Sequence, residues 1–343
     1  VSASAIASPR RALGLALLAA LLAARPAAAD RIWEQAASDD AEGAARDVYT
    51  AWMREGDAYA TQADVRSVSL RELEKTIASA VQAYRNAAAA RPQAAEPYFQ
   101  IGTLLHRHYA CESDAPSPLC RPFRPSRAAD AIAAWDAFEA RAPLDPRVRD
   151  LLFARAILHT KLATPAHLEA ATRDYEQQLA QDGFYFAEDR PRTEGNLAET
   201  YMMLGRIDDA IAMYREAVAD GADATAAYGL AVALDRDDRG AQAQETIFAL
   251  GREAVLKFKK DVTSGKSFFV PEGEVYYYDA LIDEAFGFDD SALEAWERFL
   301  RSGAHPRYQP RAKAHRDALR ARAAASHPAT PAPPRSRLDR GRW

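Results

Sequence analysis

Apolar residues recur at three- and four-residue spacing through most of the chain, with Ala, Leu, Glu and Arg between them. The stretch Leu70–Tyr84 (LRELEKTIASAVQAY) is representative and predicts an amphipathic helix. No run of alternating strands bounded by Gly turns appears. Lys266–Tyr278 (KSFFVPEGEVYYY) is the one tempting strand, and it is too short for a sheet domain. The pattern predicts an all-α fold.

The helices come in pairs that follow one rule. A small residue is followed four positions later by a large apolar one, and three later by a small or apolar one, often with Pro five residues beyond. Ala80, Tyr84, Ala87 and Pro92 fit, as do Ala131, Trp135, Phe138 and Pro143. Without the Pro, the rule also covers Ala210, Tyr214, Ala217; Ala243, Ile247, Leu250; and Ala292, Trp296, Phe299. Ala171 and Tyr175 fit with a polar Gln178. The small residue lets a paired helix approach and the large one fills the gap to the next pair. Upstream partner helices carry Tyr98, Ile101, Gly102, Leu105; Leu197, Ala198, Tyr201; and Leu230, Ala231, Leu234.

Ala198 to Ala231 and Ala210 to Ala243 are equal steps, close to the nominal 34-residue helix–turn–helix period. The period and pattern resemble the tetratricopeptide repeat, best in GNLAETYMMLGRIDDAIAMYREAVADGAD (Gly195–Asp223). The resemblance covers about residues 65–305 in roughly six units, after an N-terminal helical segment at 30–64. An insertion falls at about 110–127, and the third unit has a longer turn around Thr164-Pro165. A capping helix at 306–325 and a disordered Pro- and Arg-rich tail at 326–343 follow.

Residues 1–29 read as an address. Arg10 and Arg11 are a positive n-region, Leu13–Ala24 is apolar, and Ala27-Ala28-Ala29 gives an A-x-A cleavage signal before Asp30. This is the layout of a secretory signal peptide. The apolar run is about half of the ~20 residues a bilayer span needs. The mature chain is expected to begin at Asp30 and to act in a bacterial periplasm or cell envelope.

The chain has 343 residues, 48% hydrophobic and 27% charged, enough to bury a core. A net charge of −5 argues against a general nucleic-acid binder. That charge is unevenly spread: residues 30–304 carry net −16 and residues 305–343 net +8. The basic end is a candidate for peripheral contact with anionic lipid, cell-wall polymer or the acidic body of the chain itself. In an exported protein Cys111 and Cys120, inside CESDAPSPLC, are expected to form a loop-closing disulfide contributing about 2–3 kcal/mol.

Other chemistry is thin. His106 and His108, two apart on a helix, point about 200° away from each other, so a His/Cys metal site with the cysteines is not expected. Ser264-Gly265-Lys266-Ser267 lacks the earlier Gly and the preceding strand of a phosphate loop, since Lys260 stands where that Gly belongs. The acid pairs Asp208-Asp209, Asp237-Asp238 and Asp289-Asp290 fit helix N-termini. No catalytic set and no cofactor is expected.

The tetratricopeptide resemblance implies a right-handed superhelix whose first helices line a concave groove that binds a protein or peptide. Carried onto this chain, groove positions are Phe99, Thr103 and His106; Gly195, Glu199 and Met202; Tyr228, Val232 and Asp235; and Tyr277, Leu281 and Glu284. The family's carboxylate-gripping members use Lys, Asn and Arg where Thr103, Glu199 and Val232 stand here. Aromatics with carboxylates instead imply an apolar partner segment with some basic residues. The chain is therefore expected to be a non-enzymatic interaction scaffold or adaptor. Two alternatives are a cell-wall polysaccharide hydrolase using Glu199, Asp235 and Glu284, and a helper that holds a membrane assembly together through its basic end.

Overall fold

Helix α1 covers Pro9–Ala63, and α2 (Leu70–Ala90), α3 (Glu96–Tyr109) and α4 (Pro125–Arg141) follow it. Next come α5 (Pro146–Leu162), α6 (Pro165–Leu179), α7 (Asp189–Leu204), α8 (Ile207–Ala219), α9 (Ala224–Arg236) and α10 (Gly240–Thr263). The chain ends with α11 (Val275–Ala285), α12 (Asp289–Ser302) and α13 (Gln309–Ser326). This computed structural model describes residues 9–65, 69–109, 123–181, 189–264, 267 and 269–326. Among the described residues there is no strand, and within the KSFFVPEGEVYYY stretch a short 3-10 turn at Glu272–Glu274 leads into α11, which takes up Val275 to Tyr278. Cys111, Cys120 and the tail beyond Ser326 lie outside the described residues, as do the first eight residues. Helix α1 continues past the expected cleavage point at Asp30. Among the described residues no helix is long and apolar enough to cross a membrane.

Local chemistry sets the helix ends. Ser69 and Glu72 form a reciprocal capping box on α2, each side chain accepting the other's backbone N–H at 3.3 Å. Asp145 and Thr164 cap α5 and α6, each just before a Pro whose missing N–H costs nothing in a first turn. The longer turn expected at Thr164-Pro165 is instead tight: only Ala163, in the left-handed region at φ 55°, and Thr164 separate α5 from α6. Asp208-Asp209 and Asp289-Asp290 sit in the first turns of α8 and α12, where they suit the helix dipole without a capping hydrogen bond. Asp237-Asp238 depart from that expectation and follow the C-terminal end of α9.

Consecutive helices pack as pairs: α1 on α2, α5 on α6, α7 on α8, α9 on α10 and α11 on α12. The small–large rule names the contact residues. Ala80, Tyr84, Ala87, Ala131, Trp135, Phe138, Ala171 and Tyr175 are all buried. So are Ala210, Tyr214, Ala217, Ala243, Ile247, Ala292, Trp296 and Phe299. Leu250 is only partly buried. Close approach needs a glycine at points. A Cβ on Gly229 of α9 would stand 2.5 Å from the Tyr214 ring of α8.

The chain divides into two units, Val1–Leu104 with Ala133–Pro143, and Leu105–Ile132 with Leu144–Trp343. In the first, Tyr84 packs over Gly56 and its hydroxyl donates to Asp57 at 2.9 Å. Phe99 meets Phe138 at 5.2 Å, and Arg141 lies 4.1 Å over the Tyr98 ring. The second unit holds α5 to α13 and one continuous core from Ala156 to Leu319.

Candidate functional site

Helix α10 is broken at Gly251 (φ 72°, ψ 177°). Only glycine adopts this backbone cheaply. The half after the break turns inward and buries Phe258 between Tyr228 at 5.1 Å, edge-on, and Tyr278 at 6.0 Å, stacked. It also brings Lys257 to a cavity of about 510 Å³ lined by α5, α7, α8, α9 and α11 residues.

Phe153, Ile157 and Phe269 give the cavity apolar surface, and Asn196, Thr225 and Ser267 add neutral polar groups. Glu199 lines it too and accepts hydrogen bonds from Tyr214 Oη at 2.7 Å and Tyr278 Oη at 3.0 Å. Burial pushes the Glu199 carboxyl up, the charge of Glu274 adds to this, and the Tyr214 hydrogen bond opposes. Among the described residues the other charges of the lining are already engaged, except Lys257. Arg192 lies 4.4 Å over the Phe153 ring and pairs with Asp189 at 3.4 Å. Asp223 caps α9 by accepting from Thr225 and Ala226 N–H.

Deeper in the unit Arg236 and Glu274 form an ion pair whose side chains are both 0% exposed, with Nη2 reaching the two carboxylate oxygens at 2.6 and 2.8 Å. The guanidinium lies over Tyr277 at 4.5 Å and Tyr308 at 4.1 Å. Burial disfavours its charge, but Glu274 outweighs that and raises the Arg236 pKa. Beside the pair, burial and the Arg236 charge push His305 down to about 4, so it is neutral at pH 7.

The C-terminal helix closes this end. Asp235 accepts from Tyr277 Oη at 2.6 Å, from Arg311 at 2.7 Å and from His315 Nε2 at 3.1 Å. His315 Nδ1 donates to Glu284 at 2.9 Å, and the same oxygen accepts from Trp296 Nε1 at 3.1 Å. The imidazole stacks on the Trp296 ring at 4.7 Å. Burial alone would lower His315, but the bonds to Asp235 and Glu284 raise it to about 9. Burial alone would raise Asp235, yet His315 and Arg311 hold it below the carboxylate range. Ahead of α13, Tyr308 Oη donates to the Met202 carbonyl at 3.4 Å and Arg307 to that of Gly205 at 3.5 Å. The segment thus reaches α7, α9 and α11 in turn.

These facts place the expected groove residues. Gly195 and Glu199 line the open cavity. Met202, Tyr228, Asp235 and Tyr277 are buried rather than presented to a partner, and so are Val232 and Leu281. The physical reason is cover: α13 lies on the first-helix carboxylates, and the turned half of α10 covers Tyr228. Asp235 and Glu284 do come together, on His315 rather than around a visitor, with Tyr277 donating to Asp235. Phe99 contacts Phe138, and Thr103 lies on the same helix. Burial, with the Lys161 charge, pushes His106 down to about 4. The carboxylates of the hydrolytic alternative share no free site, since two hold His315 and Glu199 accepts from tyrosines. Arg192, Asn196, Lys257, Phe269, Arg311 and His315 were not read from the sequence. The period break after Leu250 was the available signal for Lys257 and Phe269, and the net +8 end the signal for Arg311 and His315.

The arrangement defines an all-α protein of packed helix pairs. No family model matches the chain, and no curated protein matches it. A solved structure described as "Functional Characterization of Pseudomonas Aeruginosa pilF" is similar at 13% identity. It covers 81% of this chain and 99% of that one, with a TM-score of 0.41. A likeness of this degree assigns no function.

Proposed function

We propose that this chain is an exported, non-enzymatic scaffold of tetratricopeptide type that binds a partner segment on its first helices, in the periplasm or cell envelope. The observation that carries the reading is the cavity of about 510 Å³ on α7 and α9, apolar in part and with several polar and charged side chains in its lining. Its mechanism is capture on a pre-stacked surface: the helix pairs are ordered before the partner arrives, so less entropy is lost on binding. The signal-like first 29 residues support export, and the basic end supports peripheral contact with an anionic surface.

Photo-crosslinking in exporting cells tests it. A benzophenone side chain at Asn196, in the cavity, is expected to give a discrete protein adduct, and one at Glu294, exposed on α12, is not. Equal adducts at both positions, or none at Asn196, would remove the site. Clearing of a peptidoglycan zymogram by the purified chain would return the hydrolase.

A further inference from the structure

Three carboxylates on first helices share a setting. Asp235 accepts from Tyr277, and Glu284 from Trp296. Each then takes a basic side chain: Arg311 and His315 on Asp235, His315 on Glu284. Glu199 is the third. It is half-buried and receives aromatic hydroxyls, from Tyr214 and Tyr278. Among the described residues no cation lies within ion-pair distance of it, and it lines the cavity.

Buried carboxylates are stable when a hydrogen-bonded cation faces them. The molecule supplies that cation twice from its own α13 and leaves Glu199 with neutral hydrogen-bond donors, the Arg236 charge acting on it only from its pair with Glu274. We propose that the cavity admits a lysine or arginine side chain of a partner segment, its charged head on Glu199 and its stem along Phe153 and Phe269. This rests on the scaffold reading and adds the chemistry of the partner. The size of the cavity suits such a side chain with an apolar neighbour. Arg192 does not block the head, being held by Asp189 and Phe153. Lys257 also lines the cavity and would favour an acidic side chain, which the glutamate peptide below tests.

The test is an NMR titration of the labelled chain with three capped tripeptides, Phe-Lys-Ala, Phe-norleucine-Ala and Phe-Glu-Ala. The lysine peptide is expected to shift the amides of Asn196 and Thr225 saturably, and the norleucine peptide to bind at least about tenfold more weakly. Glu199→Gln is expected to erase that discrimination while the rest of the spectrum stays unchanged. Should Gln disturb the fold, the Glu199 carboxyl carbon of the unaltered chain gives the same readout. It should move with the lysine peptide and not with norleucine. Equal binding of lysine and norleucine overturns the cation assignment and leaves a groove that binds apolar side chains. Tightest binding by the glutamate peptide overturns it in favour of Lys257 as the reader. If none of the peptides perturbs the cavity, while photo-crosslinking at Asn196 still yields an adduct, the proposal falls and the scaffold reading stands.

Discussion

His315 and Asp235 lie 80 residues apart in sequence and 3.1 Å apart in space. The contact ties the last helix to the α9–α10 pair, and it is a protonated imidazole that makes it. With a folded pKa near 9 against an ordinary 6.5, His315 binds its proton more tightly in the folded chain. Its contribution is therefore complete below about pH 6.5 and fades as pH rises through 9, amounting to roughly 3 kcal/mol at most. Urea unfolding at pH 6 and pH 10 checks this: His315→Gln should shrink the difference between the two pH values. An unchanged difference would mean that His315 is not the titrating group.

The buried Arg236–Glu274 pair should behave asymmetrically. Glu274→Gln leaves a buried guanidinium facing a neutral group and is expected to cost about 3–5 kcal/mol. Replacing both, Arg236→Met with Glu274→Met, should cost clearly less than the sum of the two single changes. Denaturant titration of the four proteins measures the coupling.

Gly229→Ala sets two effects against each other. Helix propensity favours alanine by about 1 kcal/mol. The new methyl would press on the fully packed Tyr214 ring, and overpacking costs about 1–3 kcal/mol. Net destabilisation is expected, relieved by adding Tyr214→Leu. Thermal melts of the single and double variants decide.

Trp296 is wholly buried, stacks on His315 and donates to Glu284. Trp296→Ala should cost about 3–5 kcal/mol and also lower the His315 pKa, because the packing that orients both partners is lost. The second effect is read directly from the imidazole proton shifts.

The pairing of helices was legible in the sequence because packing against a neighbour needs small and large residues at fixed offsets. Ala210, Tyr214 and Ala217 state their contacts by spacing alone, and all three are buried. The site was less legible. Period predicts which face of a helix turns inward, but not what later covers it. Tyr228 stands at a groove position and is covered because α10 breaks at Gly251, a single-residue event inside an otherwise helical stretch. Asp235 and Glu284 stand at groove positions as well, and their partners are two basic residues whose sequence distance hides the contact.

The docking of α13 has a kinetic and concentration consequence. A tethered helix meets Asp235 and Glu284 at an effective concentration on the order of millimolar. A free basic helix has to displace that local supply before it can take either carboxylate, whereas among the described residues no tethered cation pairs with Glu199. Cutting the chain after Ser302 would abolish the local supply and turn one open carboxylate into three, so the truncated protein should gather basic peptides less selectively than the whole one.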